Sequence, residues 1–126
     1  DPRPGEDKLE FADYVFKVER RLQKIWKKHS RIVLFYERNK FSPDFREQER
    51  ETKLRSIDVV GQQLRSRHPE IGSARARNIS VTILKAIYTG LDTVALMPAR
   101  EVAGFRREWR LMITAYIDSL ELSKGK

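Results

Sequence analysis

Residues 73–97 read SARARNISVTILKAIYTGLDTVALM, and their pattern decides the fold class. Ala76, Ile79, Ile83, Ala86, Ile87, Gly90 and Val94 recur at steps of three and four, the spacing that places side chains on one face of an α-helix. Val81, Leu84, Tyr88, Leu91 and Ala95 form a second apolar stripe beside the first. Polar residues keep only a strip through Asn78, Thr82, Lys85, Thr89 and Asp92. A helix apolar around this much of its girth has to be covered on two sides. Four helices seldom cover one of their own from within, so the pattern predicts that a second subunit completes the cover. Ser73 follows Pro69 and Gly72 and can cap the start of this helix, and Pro98 ends it.

Working outward, residues 99–120 place Val102, Phe105, Trp109, Met112, Ile113, Tyr116 and Leu120 on one helical face, widened by Leu111 and Ala115. Residues 123–126 read as a disordered tail. Upstream, Ser42, Pro43 and Asp44 are a cap, a first-turn proline and an acid suited to the positive helix end, predicting a helix from about Pro43 to the His68-Pro69 stop. Its first half is almost wholly charged, with Glu49 four residues before Lys53 and Glu51 four before Arg55. Leu54, Ile57, Val60, Gly61 and Leu64 give only its second half a stripe to bury. Phe11, Tyr14, Val15, Val18, Leu22, Ile25, Trp26, Ile32 and Val33 predict one long helix over about 7–38, with a break near Ser30. The expected class is all-α, an antiparallel helical bundle. Residues 1–6 read as a linker remnant and 7–122 as one helical domain.

The composition excludes several classes. With 40% hydrophobic and 35% charged residues the chain is too apolar for disorder and too charged for a membrane protein. There is no cysteine, so disulfides, thiol nucleophiles and Cys-ligated zinc are excluded, which fits a reducing, cytoplasmic location. His29 and His68 lie in different elements, and neither has a carboxylate or histidine at the spacing of a helical metal site; no metal or cofactor is expected. The six glycines are scattered and form no phosphate loop. Glu47, Glu49 and Glu51 alternate with Arg and Gln, the pattern of a solvated salt-bridge lattice rather than an acid/base pair. Nothing here suggests an enzyme.

The 26 basic residues exceed the 18 acidic ones by 8, and the excess is organised. Lys17, Arg20, Arg21, Lys24, Lys27, Lys28 and Arg31 line a face opposite Val18, Leu22, Ile25 and Trp26. Such a stripe suits phosphates or another acidic surface, but no aromatic interleaves it to stack bases, so a solvated face is the simpler reading. Tyr14, Trp26, His29, Phe35, Tyr36 and Phe45 form an aromatic group able to wall a small-molecule pocket or simply to fill a core.

Three phrases carry a family resemblance: RHPEIGSARAR at 67–77, ILKAIYTGLD at 83–92 and FRREWRLMITAYI at 105–117. Their order resembles the C-terminal regulatory domain of TetR-family transcriptional repressors, over nearly the whole chain. The resemblance implies that the last two helices form an intersubunit four-helix bundle in a homodimer. It also implies a cavity for a small apolar or amphipathic effector, and control of DNA binding by an N-terminal helix-turn-helix head, which these residues do not include. No membrane contact is expected. On this reading Ile79, Ile83, Gly90, Val94, Phe105, Trp109, Met112 and Tyr116 are the interface candidates, with Gly90 permitting close helix approach and Trp109→Glu expected to separate the subunits. Tyr14, Leu22, Trp26, Tyr36, Ile57 and Tyr88 are the ligand-binding candidates. The alternative is a helical module that binds nucleic acid or an acidic surface through the basic stripe at 17–31.

Overall fold

The structure, a computed structural model, describes residues 10–28, 38 and 42–122, without the side chains of residues 26–28 and 45. The chain is all-α, an antiparallel helical bundle of α1 (Phe11–Lys28), α2 (Pro43–Arg67), α3 (Ser73–Leu96) and α4 (Ala99–Ser119). The helix signals fall where the sequence puts them. Ser42 is the extended N-cap of α2 and Pro43 occupies its first turn, although the Ser42 hydroxyl makes no capping bond. At the other end the His68 backbone N–H donates to the Leu64 carbonyl at 2.9 Å, and Pro69 cannot extend the ladder. The cap of α3 is Gly72 rather than Ser73, which is already helical. Residues 29–37 and 39–41, over which the long first helix was expected to continue, lie outside the described residues.

α3 is the central helix, and the chain itself supplies cover for it from three helices. One side packs on α2 along much of its length, meeting Val60 and Leu64. Phe11, Tyr14 and Val15 of α1 and Trp109, Ile113 and Ile117 of α4 join the same core. Ile83 is 1% exposed and Leu64 fully buried. α1 thus supplies a cover that the sequence pattern of α3 alone does not reveal. By length and composition α3 would also suit a membrane span, but Lys85 and Asp92 lie within it and its isoleucines meet the other helices.

Two contacts fix the helices on α3. Ser80 is buried with its hydroxyl donating to the Ala76 carbonyl at 2.7 Å, and it faces Gly61 of α2, where a Cβ would stand 3.5 Å from its oxygen, an ordinary contact. On the α4 side, the Trp109 indole Nε1–H donates to the Ala86 carbonyl at 2.9 Å, and a Cβ at Gly90 would stand only 3.0 Å from that nitrogen. Gly90 thus permits a close approach, but of Trp109 in its own chain. α1 is tied to α4 by one partly buried ion pair, in which Arg106 Nη2 donates to Glu19 Oε1 at 2.6 Å and Oε2 at 3.1 Å. His68, at the end of α2, is buried. The Ile71 N–H donates to its carbonyl, and the Arg65 Nε–H donates to the Ile71 carbonyl, which folds residues 68–72 back over the end of α2.

Candidate functional site

A groove of about 270 Å³ opens between α1, α2 and α3. On α1, Tyr14, Val18 and Leu22 stand at successive i, i+4 positions and so face it together. α2 contributes Val59 and Val60, and α3 contributes Leu84 and Tyr88. Leu84, Val60 and Tyr14 are each nearly inaccessible and form the floor. Aromatic rings are held in place by cations: the Arg67 guanidinium lies 5.0 Å from the Tyr14 ring centre, and Lys53 Nζ lies 5.5 Å from that of Tyr88. Phe11 stacks on Tyr14 with centroids 6.2 Å apart.

The rim is polar and basic. Arg21 and Arg55 face each other's helices across the opening, with Thr52 and Ser56 beside them. Both hydroxyls donate within α2, Thr52 to the Gln48 carbonyl and Ser56 to the Thr52 carbonyl, each at 3.1 Å. Their oxygens retain acceptor capacity. Arg55 makes no ion pair among the described residues, and the expected Glu51–Arg55 pair does not form, whereas Glu49–Lys53 does. An apolar floor under a guanidinium rim suits an amphipathic anion, with an alkyl or ring body below and a carboxylate or phosphate above.

Of the six ligand candidates, Tyr14, Leu22 and Tyr88 come together here. Ile57 lies elsewhere, lining a groove with Gly61, Arg65 and Ala76 between α2 and the start of α3. It belongs to that other side of α2 because Ile57 and Val59 are two residues, about 200°, apart on the helix. The Trp26 side chain, His29, Phe35, Tyr36 and the Phe45 side chain lie outside the described residues. Arg21, Arg55, Val59 and Leu84 were missed. Arg21, which the helical spacing places on the basic face, is half-buried at the groove, while Lys17, Arg20 and Lys24 are exposed.

The interface candidates divide as well. Ile79, Ile83, Gly90 and Trp109 are buried inside this chain, which leaves them no surface to offer a partner. A glutamate at Trp109 would therefore unfold the core rather than separate subunits. Val94, Phe105 and Tyr116 are half-buried, and Met112 is 55% exposed. Among the described residues no cluster of three His, Asp or Glu could hold a metal. In comparisons with protein-family models, curated proteins and solved structures, the chain finds no match.

Proposed function

We propose that this chain is the effector-binding and dimerising core of a TetR-like transcriptional repressor, acting in the cytoplasm and controlling a helix-turn-helix head on its N-terminal side. The observation that carries this reading is the α1/α2/α3 groove, with its Tyr14, Leu22 and Tyr88 walls and Arg21 and Arg55 rim. The helices that line it are unequally held. α2 and α3 pack along much of their length, while α1 joins the core through Phe11, Tyr14 and Val15 and meets α4 through the Glu19–Arg106 pair and the Phe16–Trp109 ring contact. A ligand wedged in the groove would displace α1 against the α2/α3 pair, and α1 is the described helix nearest in sequence to the proposed head. The effector acts by population shift, in proportion to its preference for one position of α1. Dimerisation would use the exposed Met112 and the half-buried Val94, Phe105 and Tyr116 in place of the four buried ones.

Thermal unfolding with dodecanoate as the amphipathic anion tests the ligand half. At a hundredfold excess over Kd the chain should gain about 2.7 kcal/mol, and Arg55→Glu should remove most of that gain. No stabilisation by dodecanoate or by an alkyl phosphate would contradict the reading. The alternative, a nucleic-acid module using the exposed Lys17, Arg20 and Lys24, predicts instead steeply salt-dependent duplex binding that Lys24→Glu weakens.

A further inference from the structure

A second groove, between α1 and α4, has a different character. Its volume is about 810 Å³, and it is a wide, open groove whose apolar residues are the half-buried Phe16 and Val102 and the exposed Ala103 and Leu111. Arg106, Arg107 and Arg110 line it, and no carboxylate does so among the described residues. On α1 the groove is lined by Phe16 and Gln23, with Asp13 and Arg20 exposed one turn to either side of Phe16. These cations are not consumed by internal pairing. Arg106 neutralises Glu19, but Arg107 is exposed with no ion pair among the described residues, and Arg110 lies over the Phe16 ring at 4.8 Å. Leu111, at 60% exposure, is one of the most accessible large apolar side chains in the chain.

We infer that this groove docks an acidic amphipathic helix of a partner protein. The chemistry selects that occupant. A duplex would use the arginines but leave Phe16, Val102 and Leu111 uncovered. An amphipathic helix uses both, laying apolar anchors at i, i+3/i+4 and i+7 onto Phe16, Val102 and Leu111 while its flanking carboxylates meet Arg107 and Arg110. Residues 99–114 of α4 run about 22 Å, the length of a helix of roughly 15 residues. The site is separate from the α1/α2/α3 groove and does not depend on its ligand.

Fluorescence anisotropy with a labelled peptide of roughly 15 residues, leucines on one helical face and glutamates elsewhere, tests the inference at about 0.15 M salt. The expected result is saturable binding, weakened at least about tenfold by shuffling the peptide so that its leucines no longer share a face. Arg107→Glu and, separately, Leu111→Ser should each weaken it by roughly fivefold. Both positions are exposed, so the fold should persist, and the control Arg75→Glu, which makes the same charge change at an exposed site on α3, should leave binding unchanged. Equal binding of the shuffled peptide, indifference to Arg107→Glu, or stronger binding of a DNA duplex that Arg107→Glu abolishes would each overturn it, the last by assigning the surface to nucleic acid.

Discussion

Arg106→Met isolates what the α1–α4 tie contributes. Glu19 is 5% exposed, whereas the Arg106 side chain keeps 28% of its surface in solvent. Removing the arginine strands a desolvated carboxylate, and breaking a buried pair from one side costs about 3–5 kcal/mol. The partial exposure of Arg106 places this pair at the low end, near 3 kcal/mol by the same rule. Glu19→Gln leaves a guanidinium that can turn to water, at a cost of about 1 kcal/mol. For 126 residues the unfolding entropy is about 0.26 kcal/mol/K, so Arg106→Met should lower Tm by roughly 11 °C and Glu19→Gln by roughly 4 °C. The double variant should lie close to Glu19→Gln, because the stranded charge is gone. Urea and thermal unfolding followed by circular dichroism measure all three. A loss below about 1 kcal/mol for Arg106→Met, or a larger loss for Glu19→Gln, would refute the burial asymmetry on which this ranking rests.

Two glycines of helices α3 and α4 should respond oppositely to alanine. Gly90→Ala, whose Cβ would press on Trp109, should destabilise by about 1–2 kcal/mol net of the helix gain, while Gly104→Ala, with open space around it, should stabilise by about 0.5–1 kcal/mol in urea titrations. His68→Leu should leave stability unchanged or slightly raised, since the buried Nδ1 makes no hydrogen bond and stands 3.7 Å from a Glu70 carboxylate oxygen; a loss above about 1 kcal/mol would show that this contact matters. Met112→Glu should convert the proposed dimer to a folded monomer in sedimentation, with unchanged helicity.

The elements were legible because their boundaries rest on local chemistry. Pro43, Pro69 and Pro98 each forbid a backbone donor at a helix edge, and the 73–97 stretch allows only a helix. What periodicity could not convey is which neighbour covers which stripe. Ile79, Ile83 and Trp109 were recognised as buried-type residues, but whether α1 or a second subunit buries them depends on the path of α1. Half of the ligand set, Tyr14, Leu22 and Tyr88, was legible as apolar residues at pocket-forming positions. Arg21 and Arg55 were not, because a cation on a groove rim and a cation on a solvated face have the same helical spacing. Arg106, Arg107 and Arg110 are illegible for a similar reason: they alternate around α4 with Phe105 and Trp109, and their spacing alone does not separate a groove from a solvated face.

The central claim is that an amphipathic anion occupies the α1/α2/α3 groove. Methyl-resolved NMR of the chain titrated with dodecanoate tests it directly. The account predicts saturable shifts of the Val18, Leu22, Val59 and Leu84 methyl groups, with those of Val102 and Leu111 unmoved. Shifts confined to Val102 and Leu111, or no saturable shift at any of these methyls, would contradict it.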